Sequence, residues 1–257
     1  MHIPSKLTGR EEMRVPRYQN GQWQDITETV TCEEPCKISW KQRGVVAAAS
    51  TTLWAWPRDL CQLALGHVFL EKMNDTNDMS RQAAVERLGD NEYMVSIGPP
   101  LLERPPVPPE VLDAGLLLEA MAAFITAQGN WDDTGCFHRA GVYDPHKKCI
   151  LTRAEDIGRH NCLDRLAGWA ILNRVPLTDK VLLVSARMTA SLCAKALRAG
   201  FRVLVSRSAV TGAAVAMANE SNATLVGFAR CGQGGSEKRF TVFSDRPERI
   251  QAWKHQE

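Results

Sequence analysis

The second half of the chain alternates short apolar runs with segments of helical spacing. The apolar runs cover residues 181–184, 203–205 and 224–228. Between them, residues 189–198 and 211–219 are predicted helices, and Gly200 follows the first, where glycine is favoured after a helix end. Buried strands that alternate with helices predict a parallel sheet covered by helices, and hence an α/β fold class.

The first hundred residues carry shorter β-like patches, at residues 36–40, 45–49 and 92–97. One helix is predicted among them. Pro57 suits its first turn, and Asp59 complements the positive end of the helix dipole. The helical repeat then continues through Leu60, Leu63, Ala64, His67 and Val68.

Six prolines lie between residues 99 and 109. Prolines at this density neither continue a helix nor donate to a sheet ladder, so this segment is predicted to be a stiff connector. We therefore expect a smaller β-rich N-terminal domain over residues 1–110, including the connector. An α/β domain is expected over residues 111–257, opening with a helix at 111–128.

Composition narrows the class of protein. The 257 residues are 44% hydrophobic and 23% charged, with a formal net charge of +2, as in an ordinary soluble globular protein. Collagen, a disordered chain and a disulfide miniprotein are disfavoured, and no binding to nucleic acid or anionic membrane is expected. The first residues lack the pattern of a signal peptide, so we expect a cytoplasmic protein.

The eight cysteines are expected to be thiols in a reducing compartment. Cys32 and Cys36 form a C-x3-C pair that could chelate or cross-link, or that simply flanks a turn into a strand. No second pair follows at the spacing of a zinc ribbon, so no metal site is predicted. The chain also contains no C-x-x-C.

Ligands of parallel α/β sheets bind outside the carboxyl ends of the strands. Three predicted strand ends carry polar segments, at residues 185–187, 206–208 and 228–233. The helix N-termini at these ends are suited to binding phosphate. The side chains of Arg187, Arg207 and Arg230 could add positive charge, and Phe228 could stack on a base. Alternatively, the serines and threonines only cap helices.

Two further segments are candidates for chemistry. In residues 134–140, Cys136 lies two positions before His138; in a strand the two would share a face, and an imidazole could lower the pKa of the thiol. In residues 155–165, a helix would place Glu155 and Asp156 in its first turn, with His160 one turn before Asp164. Alternatively, Cys136 and His138 are only core or turn residues, and residues 155–165 are only a solvated, well-capped helix.

The sequence resembles the formate dehydrogenase accessory sulfurtransferase family. The resemblance rests on Thr134-Gly135-Cys136-Phe137-His138-Arg139-Ala140 and on Glu155-Asp156-Ile157-Gly158-Arg159-His160-Asn161 with Asp164. It continues through Ser185-Ala186-Arg187, Ser206-Arg207-Ser208-Ala209 and Leu225-Val226-Gly227-Phe228, and upstream through Trp56-Pro57-Arg58-Asp59-Leu60.

This resemblance implies a cytidine-deaminase-like, three-layer α/β domain in a cytoplasmic homodimer. It implies sulfur transfer from a cysteine desulfurase to the molybdenum cofactor of formate dehydrogenase, bis-molybdopterin guanine dinucleotide, with GDP as a mimic of its guanine end. The family's cofactor-binding segment corresponds to Phe228, Ala229, Arg230, Cys231, Gly232 and Gln233.

The chain departs from the family at one motif. The family carries sulfur on a C-x-x-C loop, whereas the corresponding residues 96–109 contain no cysteine, so the catalytic residue is unassigned. Either another thiol carries the sulfur, with Cys136 and Cys231 nearest the expected site, or the protein is a cofactor-binding chaperone or regulator without a sulfur relay. A zinc deaminase is disfavoured, because Ala140 stands where an H-x-E motif starting at His138 would carry its glutamate, and the chain contains no P-C-x-x-C.

Overall fold

The protein is an α/β structure of twelve described strands and six described helices. The computed structural model describes residues 9–41, 48–72, 81–100, 111–232 and 237–251. The strands are β1 (Arg10–Gln19), β2 (Gln22–Thr31), β3 (Glu34–Trp40), β4 (Ala49–Ala55), β5 (Arg81–Gly89), β6 (Glu92–Pro100), β7 (His138–Asp144), β8 (Cys149–Asp156), β9 (Val181–Val184), β10 (Val203–Ser206), β11 (Thr224–Cys231) and β12 (Lys238–Ser244). The helices are α1 (Leu60–Glu71), α2 (Ala114–Thr126), α3 (Trp131–Thr134), α4 (Arg159–Asn173), α5 (Ala190–Arg198) and α6 (Gly212–Glu220).

The central element is a six-stranded sheet in the order β12-β11-β10-β9-β7-β8. Strands β9, β10 and β11 are parallel, with Val203 opposite both Val181 and Thr224. Strand β7 runs antiparallel to β9 and to β8, and β12 runs antiparallel to β11. The predicted parallel core of the sheet, with its intervening helices, is therefore confirmed.

Both faces of this sheet are covered, because successive strand residues point to opposite sides. Leu182 and Val184 face the core that holds α1, α4, α5 and α6. Val181 and Leu183 face a second core, where α2 contributes Met121 and other apolar residues. Helices on both faces explain why the strands read as unbroken apolar runs.

The N-terminal part adds a four-stranded sheet, in the order β4-β3-β6-β5, and the hairpin β1–β2. The hairpin turns at Asn20 and Gly21, both with positive φ. It was not among the predicted elements, although an Asn-Gly pair is a strong signal for such a turn. No helix in the described ranges is long and apolar enough to cross a membrane.

Helices α1 and α4 touch at the level of their backbones. A Cβ atom built on Gly66 would lie 1.8 Å from the carbonyl oxygen of Asp164, and one built on Gly168 would lie 2.0 Å from that of Gln62. Glycine at both positions therefore allows the two helices to pack closer than any side chain would permit.

A buried ionic cluster joins the same helices to α5. The Lys195 ammonium lies 2.8 and 3.0 Å from the two Asp164 carboxylate oxygens, and 3.1 Å from Glu71. His67 Nδ1 lies 3.3 Å from Asp164. Because buried charges are stable only when paired, this cluster fixes three helices relative to one another.

Several predicted boundaries differ from the structure. Helix α1 begins at Leu60, not at Pro57, because Asp59 at its N-cap adopts a left-handed conformation with φ 48° and makes no side-chain cap. Strand β6 continues through Pro99 to Pro100, so the ladder extends into the start of the proline-rich segment. Residues 101–110, and residues 45–47 of one β-like patch, lie outside the described residues, and the domain boundary stays a prediction.

The contact between α1 and α4 predicts a stability effect. We expect Gly168→Ala to lower the free energy of unfolding by about 3 kcal/mol, since its methyl group must displace backbone rather than a mobile side chain. Gly212→Ala is the matched control, because a Cβ there meets nothing within 4 Å. Urea denaturation measures both. Equal stability of the two variants would contradict the close contact.

Candidate functional site

The candidate site is the edge of the six-stranded sheet where β9, β10 and β11 end. Strand β8 is parallel to β9, since both are antiparallel to β7, so β8 also ends there, at Asp156. Strand β7 begins at the same edge with His138. Helices α4, α5 and α6 start from this edge, and β12 begins there opposite the end of β11, so one end of all six strands and three helix N-termini meet there.

The serines after β9 and β10 hold the connecting loops together. Ser185 Oγ accepts a hydrogen bond from the Arg139 backbone N–H at 2.9 Å. Ser206 is buried; its hydroxyl donates to the Ala186 carbonyl at 2.8 Å and accepts from the Ser208 N–H at 3.0 Å. Both hydroxyls thus have internal partners, which agrees with a structural role for these serines.

The helix starts are capped unequally. Thr211 Oγ1 accepts a hydrogen bond from the Ala214 N–H and caps α6, as the capping alternative predicts. Thr189 and Gly158, at the N-caps of α5 and α4, make no side-chain cap. Uncapped N–H groups at a helix start can bind an anion.

Phe228 leaves the regular ladder of β11. It has a positive φ of 52°, inside a bulge between Gly227 and Arg230, and its N–H donates to the Ser208 carbonyl at 2.9 Å. Its ring lies 6.2 Å from that of Phe243. A bulky residue in the left-handed region costs free energy, and such strain is concentrated at functional positions.

Beyond Phe228, the predicted cofactor segment is only partly described. Ala229 is buried and Gly232 has a positive φ, whereas Gln233 lies outside the described residues. Arg230 stands opposite Arg239 of β12, and its Nε is buried with no hydrogen-bond partner among the described residues. Like charges in opposite strand positions repel each other, so an anion bound there would relieve the repulsion.

A second positive group lies around His138. Burial lowers the pKa of His138, and the positive charges of Arg159 and Arg187 lower it further, while Asp156 raises it. Arg159 Nε is buried without a hydrogen-bond partner in the described part of the chain. Arg159 was quoted in the sequence motif but was not singled out as a charge at the site.

Asp156 ties the site to the N-terminal part of the chain. This fully buried carboxylate accepts hydrogen bonds from Arg165, at 2.9 and 2.6 Å, and from Asn161 at 2.9 Å. Asn161 also donates to the Trp54 carbonyl, and Arg165 donates to the carbonyls of Trp56 and Arg58. Such a buried pair needs every polar atom satisfied, which these contacts achieve.

One sequence interpretation is corrected here, and one is confirmed. Glu155 and Asp156 end β8 and are not in the first turn of a helix; α4 begins at Arg159. His160 and Asp164 do lie one turn apart in α4, but His160 Nε2 contacts Ser191 Oγ at 3.1 Å, and Asp164 binds Lys195. Acidic residues before a helix look alike in sequence whether they begin the helix or end a strand.

The described cysteines differ in access. Burial raises the pKa of Cys36 and of Cys193 to about 11, and raises that of Cys162 further. Cys136 is exposed, in the turn between α3 and β7. It therefore lies outside the strand, and the shared face with His138 does not apply. Cys149 is also exposed, but it begins β8 at the opposite edge of the sheet.

The pattern of the FdhD/NarQ family matches residues 91–251, which is more than half of the chain. The chain belongs to this family. The match includes the whole six-stranded sheet and every residue placed at the site above. It begins after α1, so the N-terminal contacts of Asp156 lie outside it.

Alignments with individual curated relatives cover a smaller part of the chain than the family pattern does. The sulfur carrier protein FdhD of Staphylococcus haemolyticus is 37% identical over 53% of this chain and 48% of its own length. That of Bacillus subtilis is 39% identical over 48% of this chain and 43% of its own length. The protein FdhD of Methanocaldococcus jannaschii is 40% identical over 40% of this chain and 45% of its own length. The chain thus spans less than half the length of these relatives.

A solved structure shares the fold over nearly the full chain. It is that of a formate dehydrogenase accessory protein from Desulfotalea psychrophila, with a TM-score of 0.75 and 23% identity. It covers 94% of this chain and 99% of its own. The α/β fold class is confirmed, while the cytidine-deaminase-like description stays a prediction.

The positive group around His138 predicts a measurable titration. Since the folded-state pKa lies below the ordinary 6.5, the neutral ring is favoured, and His138 costs stability as pH falls below 6.5. We expect Arg187→Ala to raise the pKa of His138 toward its ordinary value, because a positive neighbour is removed. An NMR titration of the imidazole signals tests this. Lys147→Ala, at the opposite edge of the sheet, should leave it unchanged; an equal effect of both variants would contradict the assignment.

Proposed function

We propose that this protein is an accessory factor for formate dehydrogenase maturation that binds the molybdenum cofactor, bis-molybdopterin guanine dinucleotide. The carrying observation is the Phe228–Gly232 segment: a strained aromatic residue next to a guanidinium whose Nε has no hydrogen-bond partner among the described residues. The aromatic ring suits the guanine base, and the two opposed arginines suit the phosphates. Gln233 belongs to the proposed segment by family resemblance.

The proposal extends to sulfur transfer. The curated relatives are named sulfur carriers, and a carrier needs an accessible thiol. Cys136 satisfies this condition at the site edge of the sheet, whereas Cys36, Cys162 and Cys193 are buried. Strand β7, which follows Cys136, is three inter-strand spacings from β11, about 14 Å. Cys231 is the other candidate, by its place in the sequence.

The sulfur step is a thiol exchange. The thiolate of the carrier attacks the outer sulfur of a persulfide on a cysteine desulfurase, forming a new sulfur–sulfur bond. The desulfurase cysteine leaves as a thiolate, so no external oxidant or reductant is needed. The partners proposed are therefore a cysteine desulfurase, formate dehydrogenase and a second copy of this chain, in the cytoplasm.

The second candidate function is cofactor binding without sulfur transfer. It is favoured by the absence of cysteine from residues 96–109, where the family pattern carries its sulfur, and by the burial of three of the described thiols. In that case the protein is a chaperone or regulator that holds the guanine dinucleotide alone. The two candidates differ in whether any thiol becomes a persulfide.

Nucleotide binding is tested by calorimetry with GDP. We expect wild type to bind, and Phe228→Ala to bind about 5- to 150-fold more weakly, since stacking on one base contributes about 1–3 kcal/mol. Arg230→Ala should also weaken binding, and should reduce its salt dependence. Lys147→Ala is the control. Absence of heat with millimolar GDP would refute the site, and unchanged affinity of both site variants would move it elsewhere.

Sulfur transfer is tested by intact-protein mass spectrometry after incubation with a cysteine desulfurase and cysteine. We expect a gain of one sulfur atom, lost in Cys136→Ser and kept in Cys149→Ser, because Cys149 is exposed at the wrong edge. Peptide mapping identifies the acceptor. Loss in Cys231→Ser alone would assign the role to Cys231. No added sulfur in wild type, with GDP binding intact, would favour the second candidate.

A further inference from the structure

A groove of about 650 Å3 runs along the open edge of the six-stranded sheet. Its floor is β8, which pairs with β7 on one side and with no described strand on the other. Residues 150–155 of β8 line the groove without interruption. An edge strand presents N–H and C=O groups without ladder partners, so this floor offers main-chain hydrogen bonds along its length.

The groove has one wall on each face of the sheet. Helix α2 contributes Ala123, and the residues after it contribute Ala127 and Gln128. The opposite wall is formed by Trp56, from the segment that leads into α1, and by Gln62 of α1 itself. A whole sheet is a poor fit as the occupant of the groove. Its own covering layers would lie about 10 Å from each of its faces and would collide with these walls. A single extended chain has no such layers and fits between them.

Charge on the floor points to the kind of chain. Arg153 is exposed and forms no ion pair with a carboxylate among the described residues. Glu155, on the same side of the strand, is already bound by Arg139 at 2.6 Å and by the Asn130 N–H at 2.9 Å. The floor therefore has one free positive charge. Asp59 on the wall disfavours a strongly acidic chain.

We propose that this groove binds an extended peptide segment of a partner protein, which adds to β8 as a further strand and places an acidic side chain at Arg153. Main-chain hydrogen bonds would supply the affinity, and the acidic residue would set the register. The groove lies four inter-strand spacings from β11, about 19 Å. It is thus separate from the proposed nucleotide site, and the two can be tested independently.

The probe is a fluorescent seven-residue peptide of alternating threonine and valine with a central glutamate. We expect its anisotropy to rise with protein in the micromolar to millimolar range. Two forms of the peptide, N-methylated at neighbouring backbone positions, distinguish main-chain pairing with β8 from other contacts. Successive N–H groups of a strand point to opposite edges, so only one of the two methyl groups would face β8. One form should bind at least tenfold more weakly, and the other should bind like the parent peptide. Equal binding of the two forms, or no binding by the parent at millimolar protein, would overturn the proposal.

Protein variants locate the site. Ala123→Arg should block the groove, while Glu119→Arg, one turn earlier on the same exposed face of α2, is the matched control. Arg153→Glu should reverse the preference, so that a peptide with central lysine binds better than one with glutamate. Thermal melts confirm that each variant is folded. Equal binding by Ala123→Arg and Glu119→Arg, or no change in preference with Arg153→Glu, would contradict this site.

A second copy of this chain could occupy the groove in place of a partner's peptide, and this alternative needs its own test. Sedimentation measures the oligomeric state of wild type, Ala123→Arg and Glu119→Arg without peptide. We expect the three to sediment alike. Dissociation of a dimer by Ala123→Arg alone would assign the groove to self-association and overturn the peptide proposal.

Discussion

The backbone contact between α1 and α4 is the constraint on which the rest of the structure depends. Helix α4 starts at the candidate site. The contact places α1, at Gly66, directly against α4, at Gly168. One continuous core then includes strands of the four-stranded sheet and the inner face of the six-stranded sheet. Because no side chain separates the two helices, any sideways shift of α1 would be transmitted to the start of α4.

Polar groups reinforce this contact at both ends. Near the site, Arg165 donates to the carbonyls of Trp56 and Arg58 and also to the Asp156 carboxylate, so the chain that leads into α1 is held against the end of β8. Farther along α4, Asp164 and Lys195 join α1 to α5. Arg159 and Arg230 have no carboxylate partner among the described residues, because the acidic residues described nearby are committed to structural pairs. This division of charge leaves a net positive edge in a chain whose overall charge is close to zero.

Much of the C-terminal half follows from its sequence, since buried parallel strands and their helices have distinct periods. The ends of β9 and β10 were identified in the same way, whereas β11 continues past the predicted end at residue 228 to Cys231. Four features needed the three-dimensional structure. The glycine contact depends on two helices about 100 residues apart, the bulge at Phe228 leaves no periodic signal, and acidic residues such as Glu155 read equally well as a helix start. The groove on β8 could not be predicted, because its walls come from distant segments.

The glycine contact also has a consequence for biosynthesis. Residues 63–70 of α1 are buried on all sides in the folded protein, and part of the surface that covers them lies on α4. A ribosome adding about 5–20 residues per second needs about 5–20 s to make the intervening chain. During that interval the face of α1 that packs on α4 has no native surface to bind. Complete burial of α1 therefore has to wait for α4, and chaperones that bind exposed apolar segments can act until α4 has left the ribosome.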